Sequence, residues 1–462
     1  MDLLPKPDQV ASAANNVAHM MLYGGLADLR PMPRTLIDEG PLREVYHYRP
    51  AATVKTTGDP VLLVTPLAAP AICFDLRRGC SLVEHFVNAG RPTYLVEYGE
   101  ISFRDRNLGM EHWITEVVPE AIKAASEHAG GRPVHVIGWS LGGIFSVLVA
   151  ASQPKLPIAS LTIVGSPFDV SQVPLVAPLR PILRLTDGGI VTQVYRMFGG
   201  APKPLVRTAF RLSSGTKVLT KPIAKLQNLD NREWLAQIEA VDRFTANMIA
   251  YPGRTFGQMY HRMVKKNQLR SGVVEYGGRE IRVDAITVPV LIFAGNTDGI
   301  APINSVRPLA RMLTSAHEVR FEIVPGGHLG MLTGRAARNT TWLIMDEWLA
   351  QHSTPDEPPK PRATVAKKAP PRKAATRANT ATKATAKKAA PKKAAAKKTP
   401  RQAIKSTEDT VAPRRGAIGS NPERRFDSKS SRGLAGRPKA SPPQVPTQRS
   451  DADSANDAPT DS

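Results

Sequence analysis

The five residues Gly138-Trp139-Ser140-Leu141-Gly142 constrain this chain more than any other stretch. They follow directly on the β-branched run Val134 to Ile137 and lead into Gly143-Ile-Phe-Ser-Val-Leu-Val-Ala-Ala, an apolar run suited to a helix. A strand that becomes a helix within three residues must pass a sharp, strained corner. Glycines flank that corner because a Cβ there would collide with the adjacent strand or helix. The corner lifts Ser140 to the carboxyl edge of a sheet, and it aims the N–H of Leu141, at a helix N-terminus, toward an oxyanion forming on a bound carbonyl.

A serine is a poor nucleophile unless a base takes its proton and an acid orients that base. Both residue types follow in the order Ser, Asp, His. Asp298 lies in Gly295-Asn-Thr-Asp298-Gly-Ile-Ala-Pro302, just after the run Val290–Ala294, and His328 lies in Pro325-Gly-Gly-His328-Leu-Gly, just after Val319–Val324. Carboxyl ends of neighbouring parallel strands converge on one crevice. Asp169, which ends Gly165-Ser-Pro-Phe-Asp, is the reserve acid. The second oxyanion donor is expected in the loop Thr65-Pro66-Leu67-Ala68-Ala69-Pro70; Pro66 has no N–H, so Leu67 or Ala68 must supply it.

Six short apolar runs begin at Val61, Thr93, Val134, Leu161, Val290 and Val319, and a helical-period stretch, His112 to His128, lies between the second and third. Runs of this length suit strands buried on both faces, and the stretch suits a crossover helix. The class is α/β: a mostly parallel sheet with helices on both faces. The rhythm breaks between the fourth and fifth runs. The expected organisation is therefore an N-terminal extension over 1–57, a core over 58–168 and 271–352, a helical cap over 169–270, and a disordered tail over 353–462.

The net charge of +22 in 462 residues is concentrated at two places. The tail carries 25 Lys+Arg against 10 Asp+Glu, and residues 360–405 hold 16 basic residues and no acid in an Ala/Lys/Pro/Thr texture. Such a stretch cannot bury a core, resembles the tails of linker histones, and suits non-specific contact with nucleic acid or another polyanion. The cap carries 16 Lys+Arg against 6 Asp+Glu beside apolar patches such as Val194-Tyr-Arg-Met-Phe198, a surface suited to an anionic amphiphile, or to peripheral contact with a membrane or granule. His261 in the cap is read as packing. Two cysteines, Cys73 and Cys80, make neither a disulfide framework nor a four-ligand zinc site. A reducing compartment fits, and the absence of a signal-like or 18-residue apolar segment leads to the expectation of a cytoplasmic protein with no transmembrane segment. The mechanism needs no metal or organic cofactor.

From about Val61 to Leu349 the sequence resembles the poly(3-hydroxyalkanoate) synthase branch of the α/β-hydrolases. The likeness is carried by Phe74-Asp75-Leu76-Arg77 with Ser81-Leu82-Val83 and Asn88-Ala-Gly90, then by Gly277-Gly278, Val283-Asp284-Ala-Ile286 and Val288-Pro289-Val290. Asp298-Gly-Ile300-Ala301-Pro302 and Gly327-His328-Leu329-Gly330 continue it. The resemblance implies that Ser140, Asp298 and His328 form a triad. Two positions depart from the pattern: those synthases carry cysteine where this chain has Ser140 and commonly histidine where it has Gly299. A thiolate suits sustained acyl transfer from thioesters, whereas an alkoxide generated by His328 suits attack on esters and release to water. The leading expectation is a serine hydrolase acting on acyl esters or thioesters. The alternatives are a synthase-like acyltransferase using acyl-CoA and a polyanion- or granule-binding protein built on a hydrolase scaffold.

Overall fold

A computed structural model describes residues 6–174, 176, 200–213 and 217–355. Its strands in chain order are β1 (Arg34–Gly40), β2 (Arg43–Tyr48), β3 (Val61–Val64), β4 (Thr93–Glu97), β5 (Val134–Trp139), β6 (Ile158–Val164), β7 (Gly200–Ala201), β8 (Tyr251–Pro252), β9 (Val273–Tyr276), β10 (Arg279–Arg282), β11 (Val290–Gly295) and β12 (Val319–Val324). Eight of them form one sheet in the order β1-β2-β4-β3-β5-β6-β11-β12. From β4 to β12 every neighbour is parallel. The loops after β3, β5, β6, β11 and β12 therefore share one edge.

Why the central strands read as continuous apolar runs is visible in where alternate residues go. Val61 and Leu63 of β3, Ile137 and Trp139 of β5, and Leu291 and Phe293 of β11 enter one apolar cluster with Phe86, Trp342 and Trp348. Leu62, Val64, Val134, Val136, Val290 and Ile292 enter the other, with Ile122, Ile144, Phe145 and Leu148. The helices Leu82–Asn88 and Thr341–His352 cover the first face, and Val118–His128 and Leu141–Ser152 cover the second. Each buried branched or aromatic side chain contributes about 1.5–3 kcal/mol, so the two-sided period of 2 is the main driving force of the sheet.

The stretch 1–57, read from sequence as an extension, contributes to the sheet. Its strands β1 and β2 pair antiparallel with each other, and β2 pairs antiparallel with β4. Ahead of them the helix Pro7–Tyr23 and the residues after it lie on the cap helix Arg232–Ala246. Asn16 Nδ2 donates to Leu229 O at 2.8 Å, the N–H groups of Leu26 and Ala27 donate to Glu239 Oε2 at 2.7 and 3.1 Å, and Arg243 Nη1 donates to Leu29 O at 2.7 Å. After the cap, β9 and β10 form a hairpin whose two loop residues, Gly277 and Gly278, have φ of 57° and 74°, as a tight two-residue loop requires. Cys73 and Cys80 are both buried free thiols.

The tail expected over 353–462 lies outside the described residues from 356 onward. Its first residues are pinned at the sheet edge opposite the five loops named above. Thr354 N–H donates to Asp59 Oδ2 at 2.7 Å, Arg132 Nη2 donates to Thr354 O at 2.9 Å, and His135 Nε2 lies 3.0 Å from Ser353 Oγ. Burial, aided by the nearby Arg91 and His352, holds the His135 imidazole down to about 3. The unfolded chain therefore binds one more proton than the folded one between that value and the ordinary 6.5, and stability falls as pH drops through this window. His135 contributes a slope of about 1.4 kcal/mol per pH unit. Urea unfolding at pH 7 and pH 5 is expected to show a smaller pH difference for His135→Gln than for the wild type; equal differences would contradict it.

Candidate active site

Ser140 has φ 54° and ψ −120°, one of three non-glycine residues with positive φ among those described. That conformation costs on the order of 1–3 kcal/mol and persists only when its surroundings over-determine it. They do so here. Ser140 N–H donates to Val164 O of β6 at 2.8 Å, and Ser140 O accepts from Gly143 N–H at 3.1 Å and from Ser166 Oγ at 2.7 Å. The flanking glycines are required by space. A Cβ on Gly138 would sit 2.5 Å from Gly143 Cα, one on Gly142 would meet Val64 O and lie 2.7 Å from Thr65 O, and one on Gly143 would meet Ser166 Oγ.

The contact at Gly142 places the loop Thr65–Pro70 against the elbow. Leu67, Ala68 and Leu141 are all buried, and among the described residues no hydrogen bond engages their backbone N–H groups. Ala68 O in turn accepts from Ile249 N–H of the cap at 2.9 Å.

His328 is 7% exposed, and its Nδ1 lies 2.7 Å from Asp298 Oδ2. The other carboxylate oxygen of Asp298 accepts from the N–H groups of Ile300 at 2.8 Å and Ala301 at 2.9 Å. A carboxylate on Nδ1 assigns the ring proton to that nitrogen and leaves Nε2 as the acceptor. Neither Ser140 Oγ nor His328 Nε2 has a hydrogen-bond partner among the described residues. The loop carrying His328 and the elbow touch through Trp139, whose Nε1 donates to His328 O at 3.0 Å, and through Gly165, where a Cβ would lie 3.3 Å from His328 Nδ1.

The reserve acid Asp169 is engaged elsewhere. Its carboxylate accepts from Ser171 N–H at 3.0 Å and Asn267 Nδ2 at 2.8 Å and pairs with Arg270 Nη1 at 3.1 Å. Burial raises this carboxyl, but the hydrogen bonds from Ser171 and Asn267 and the charge of Arg270 outweigh it and hold it below its ordinary value. Asp169 thus ties the two ends of the cap together rather than serving His328. Asn267 was not singled out by sequence; its left-handed φ of 49° is a signal only a structure supplies. His261 lies edge-on to Tyr260 at 4.9 Å, within the cap. A cavity of about 360 Å³ opens between the loop after β4 and the base of the cap, lined by Ile101, Phe103, Ala201, Lys203 and Tyr251. Burial pushes the Tyr251 phenol up to about 12, so it lines this space as a neutral donor.

The family described by the alpha/beta hydrolase fold matches residues 92–335, just over half of the sequence, and the chain belongs to that family. It is an enzyme of the α/β-hydrolase type. Within the family it is similar to the poly(3-hydroxyalkanoate) polymerase subunit PhaC of Haloferax mediterranei, at 21% identity over 64% of this chain and 59% of the relative. It is also similar to the subunit of the same name from Allochromatium vinosum, at 25% identity over 66% of this chain and 84% of the relative. The chain thus spans less than two thirds of the length of the Haloferax relative. Among solved structures it resembles an esterase from Rhodococcus sp. ECU1013, with a TM-score of 0.40 and 12% identity over 70% of this chain and all of that one. No helix among the described residues is long and apolar enough to cross a membrane.

Proposed function

We propose that the chain hydrolyses acyl esters or thioesters of lipid-like or hydroxyacyl compounds through an acyl-enzyme on Ser140. The observation that carries this reading is the 2.7 Å contact of His328 Nδ1 with Asp298, on the same sheet edge as a serine held at φ 54°. His328 Nε2 takes the Ser140 proton as Oγ attacks the acyl carbon, and Asp298 holds the imidazole and stabilises its charged form. The carbonyl oxygen, negative in the tetrahedral intermediate, accepts from the N–H of Leu141 and from that of Leu67 or Ala68. Loss of one such donor typically costs about 10²–10³ in kcat. His328 returns the proton to the leaving alcohol or thiol, and water repeats the sequence to free the acid.

A second reading, acyl transfer from acyl-CoA to an acceptor, draws on the names of the relatives, which are polymerase subunits. The two differ in product. With p-nitrophenyl esters and acyl-CoAs of short to long chain, hydrolysis gives free acid in step with the released alcohol or thiol. Acyl groups retained on a polymer or acceptor while CoA is released would replace the first reading with the second.

The third reading, a polyanion- or granule-binding protein on a hydrolase scaffold, draws on residues 360–405, which lie outside the described residues. Their 16 basic residues without an acid support counterion-release binding of nucleic acid or another polyanion. Removing the chain after Pro355 is expected to abolish salt-sensitive duplex DNA binding and to leave ester turnover within about twofold, because the root at Thr354 lies away from the catalytic edge. Equal DNA binding by the shortened chain would contradict a role for the tail.

A further inference from the structure

We infer that Trp139 is a positioning residue that couples the cap to the base His328, an inference that rests on the triad reading above. Residue 139 ends β5, and the period of 2 sends its side chain to the face occupied by Ile137, Leu63 and Phe293. The indole is 1% exposed. A buried tryptophan N–H must find an acceptor, and many carbonyls would serve. The acceptor here is the backbone oxygen of His328 itself, at 3.0 Å, and the indole and imidazole centroids lie 5.0 Å apart with 40° between planes. Next to the same indole, 6.0 Å away at 56°, is Phe244 of the cap helix Arg232–Ala246. Ala240 of that helix and Met248 just beyond it belong to the same apolar cluster.

His328 is thus held at two points: its ring nitrogen by Asp298 and its main chain by Trp139. The first hold fixes the tautomer, and the glycine-rich loop Pro325–Gly330 is anchored ahead of the base by Gly326, whose N–H donates to Asn296 Oδ1 at 3.0 Å and whose oxygen accepts from Thr297 N–H at 3.1 Å. The second hold acts at the main chain of His328 itself, and Phe244 makes it depend on where the cap helix sits. Glu239 and Arg243, on the same helix, are the residues gripped by the N-terminal segment at Leu26, Ala27 and Leu29. A contact path therefore runs from the N-terminal segment through the cap helix and Trp139 to the base. Because Trp139 precedes Ser140, whose own conformation is fixed by β6 and Ser166, a displaced cap helix acts on the base rather than on the serine.

The test uses Trp139→Phe, which keeps an aromatic ring against Phe244 but removes the N–H together with part of the ring volume, and Phe244→Leu, which loosens the cap side at a separate residue. Each is expected to lower kcat about tenfold with KM within about twofold, and the rate of Ser140 labelling by a small fluorophosphonate is expected to fall in step. The double variant is expected to fall much less than the product of the two single losses, since both break one path. A kcat within twofold of wild type in both variants, whatever their melting temperatures, would overturn the inference and leave Trp139 as packing alone; so would fully multiplicative losses. If Ser140→Ala retained turnover, the triad reading itself would have failed. Loss of turnover in Ser140→Ala with wild-type kcat in Trp139→Phe and Phe244→Leu would sink only the coupling.

Discussion

Replacing Ser140 by Ala is expected to lower kcat/KM for any ester or thioester substrate by about 10⁴-fold or more, without changing the melting temperature by more than a few degrees. The size follows from what the hydroxyl does: without Oγ there is no acyl-enzyme, and His328 has nothing to deprotonate except water. Residual turnover would come from the N–H groups of Leu141 and Leu67 or Ala68 acting on a water attack. The small stability change follows from the hydroxyl making no hydrogen bond among the described residues, so its removal strands no partner. Ala also relieves nothing at φ 54°, because the strain belongs to any Cβ at that position. Steady-state kinetics beside thermal unfolding separates the two effects.

The second large effect is on the fold. Gly142→Ala places a methyl group against the carbonyls of Val64 and Thr65, the latter at 2.7 Å. Both are main-chain atoms at the end of a fully buried strand, so neither rotates away as a side-chain tip would. A loss of about 3 kcal/mol or more is expected, seen as a fall in melting temperature of roughly 5 °C or greater, together with loss of activity as the loop Thr65–Pro70 is pushed off the elbow. Gly330→Ala, where nothing lies within 4 Å of the added Cβ, is expected to stay within about 0.5 kcal/mol of wild type. Wild-type melting and turnover in Gly142→Ala would contradict the close approach of loop and elbow.

Much of this was legible in the sequence because it depended on local signals. The strands that became β3, β4, β5, β6, β11 and β12 were readable from β-branched runs since they are covered on both faces. Strands β1 and β2 were not, because only Val45 and Tyr48 of them are buried and their remaining positions carry charges and half-exposed side chains. The helix Pro7–Tyr23 was equally silent: of its residues only Asn16 is buried, and it is held by polar contacts to the cap that no periodicity encodes.

The site divides in the same way. Ser140, Asp298 and His328 could be placed on one edge because each directly follows a readable parallel strand. Choosing between Asp298 and Asp169 needed distances, since both end strands at that edge and only the hydrogen bonds to Asn267 and Ser171 show Asp169 to be engaged with the cap. The link of Trp139 to His328 spans 189 residues of sequence and exists only in the folded chain.

Everything proposed here for the site depends on Ser140 being the nucleophile activated by His328. The most direct measurement is reaction of the folded full-length chain with a fluorophosphonate, followed by peptide mass mapping of the adduct. A single adduct on Ser140 is expected, formed quickly in the wild type and at least about 100-fold more slowly in His328→Ala. An unlabelled Ser140 in folded protein, or an adduct on another residue, would contradict it.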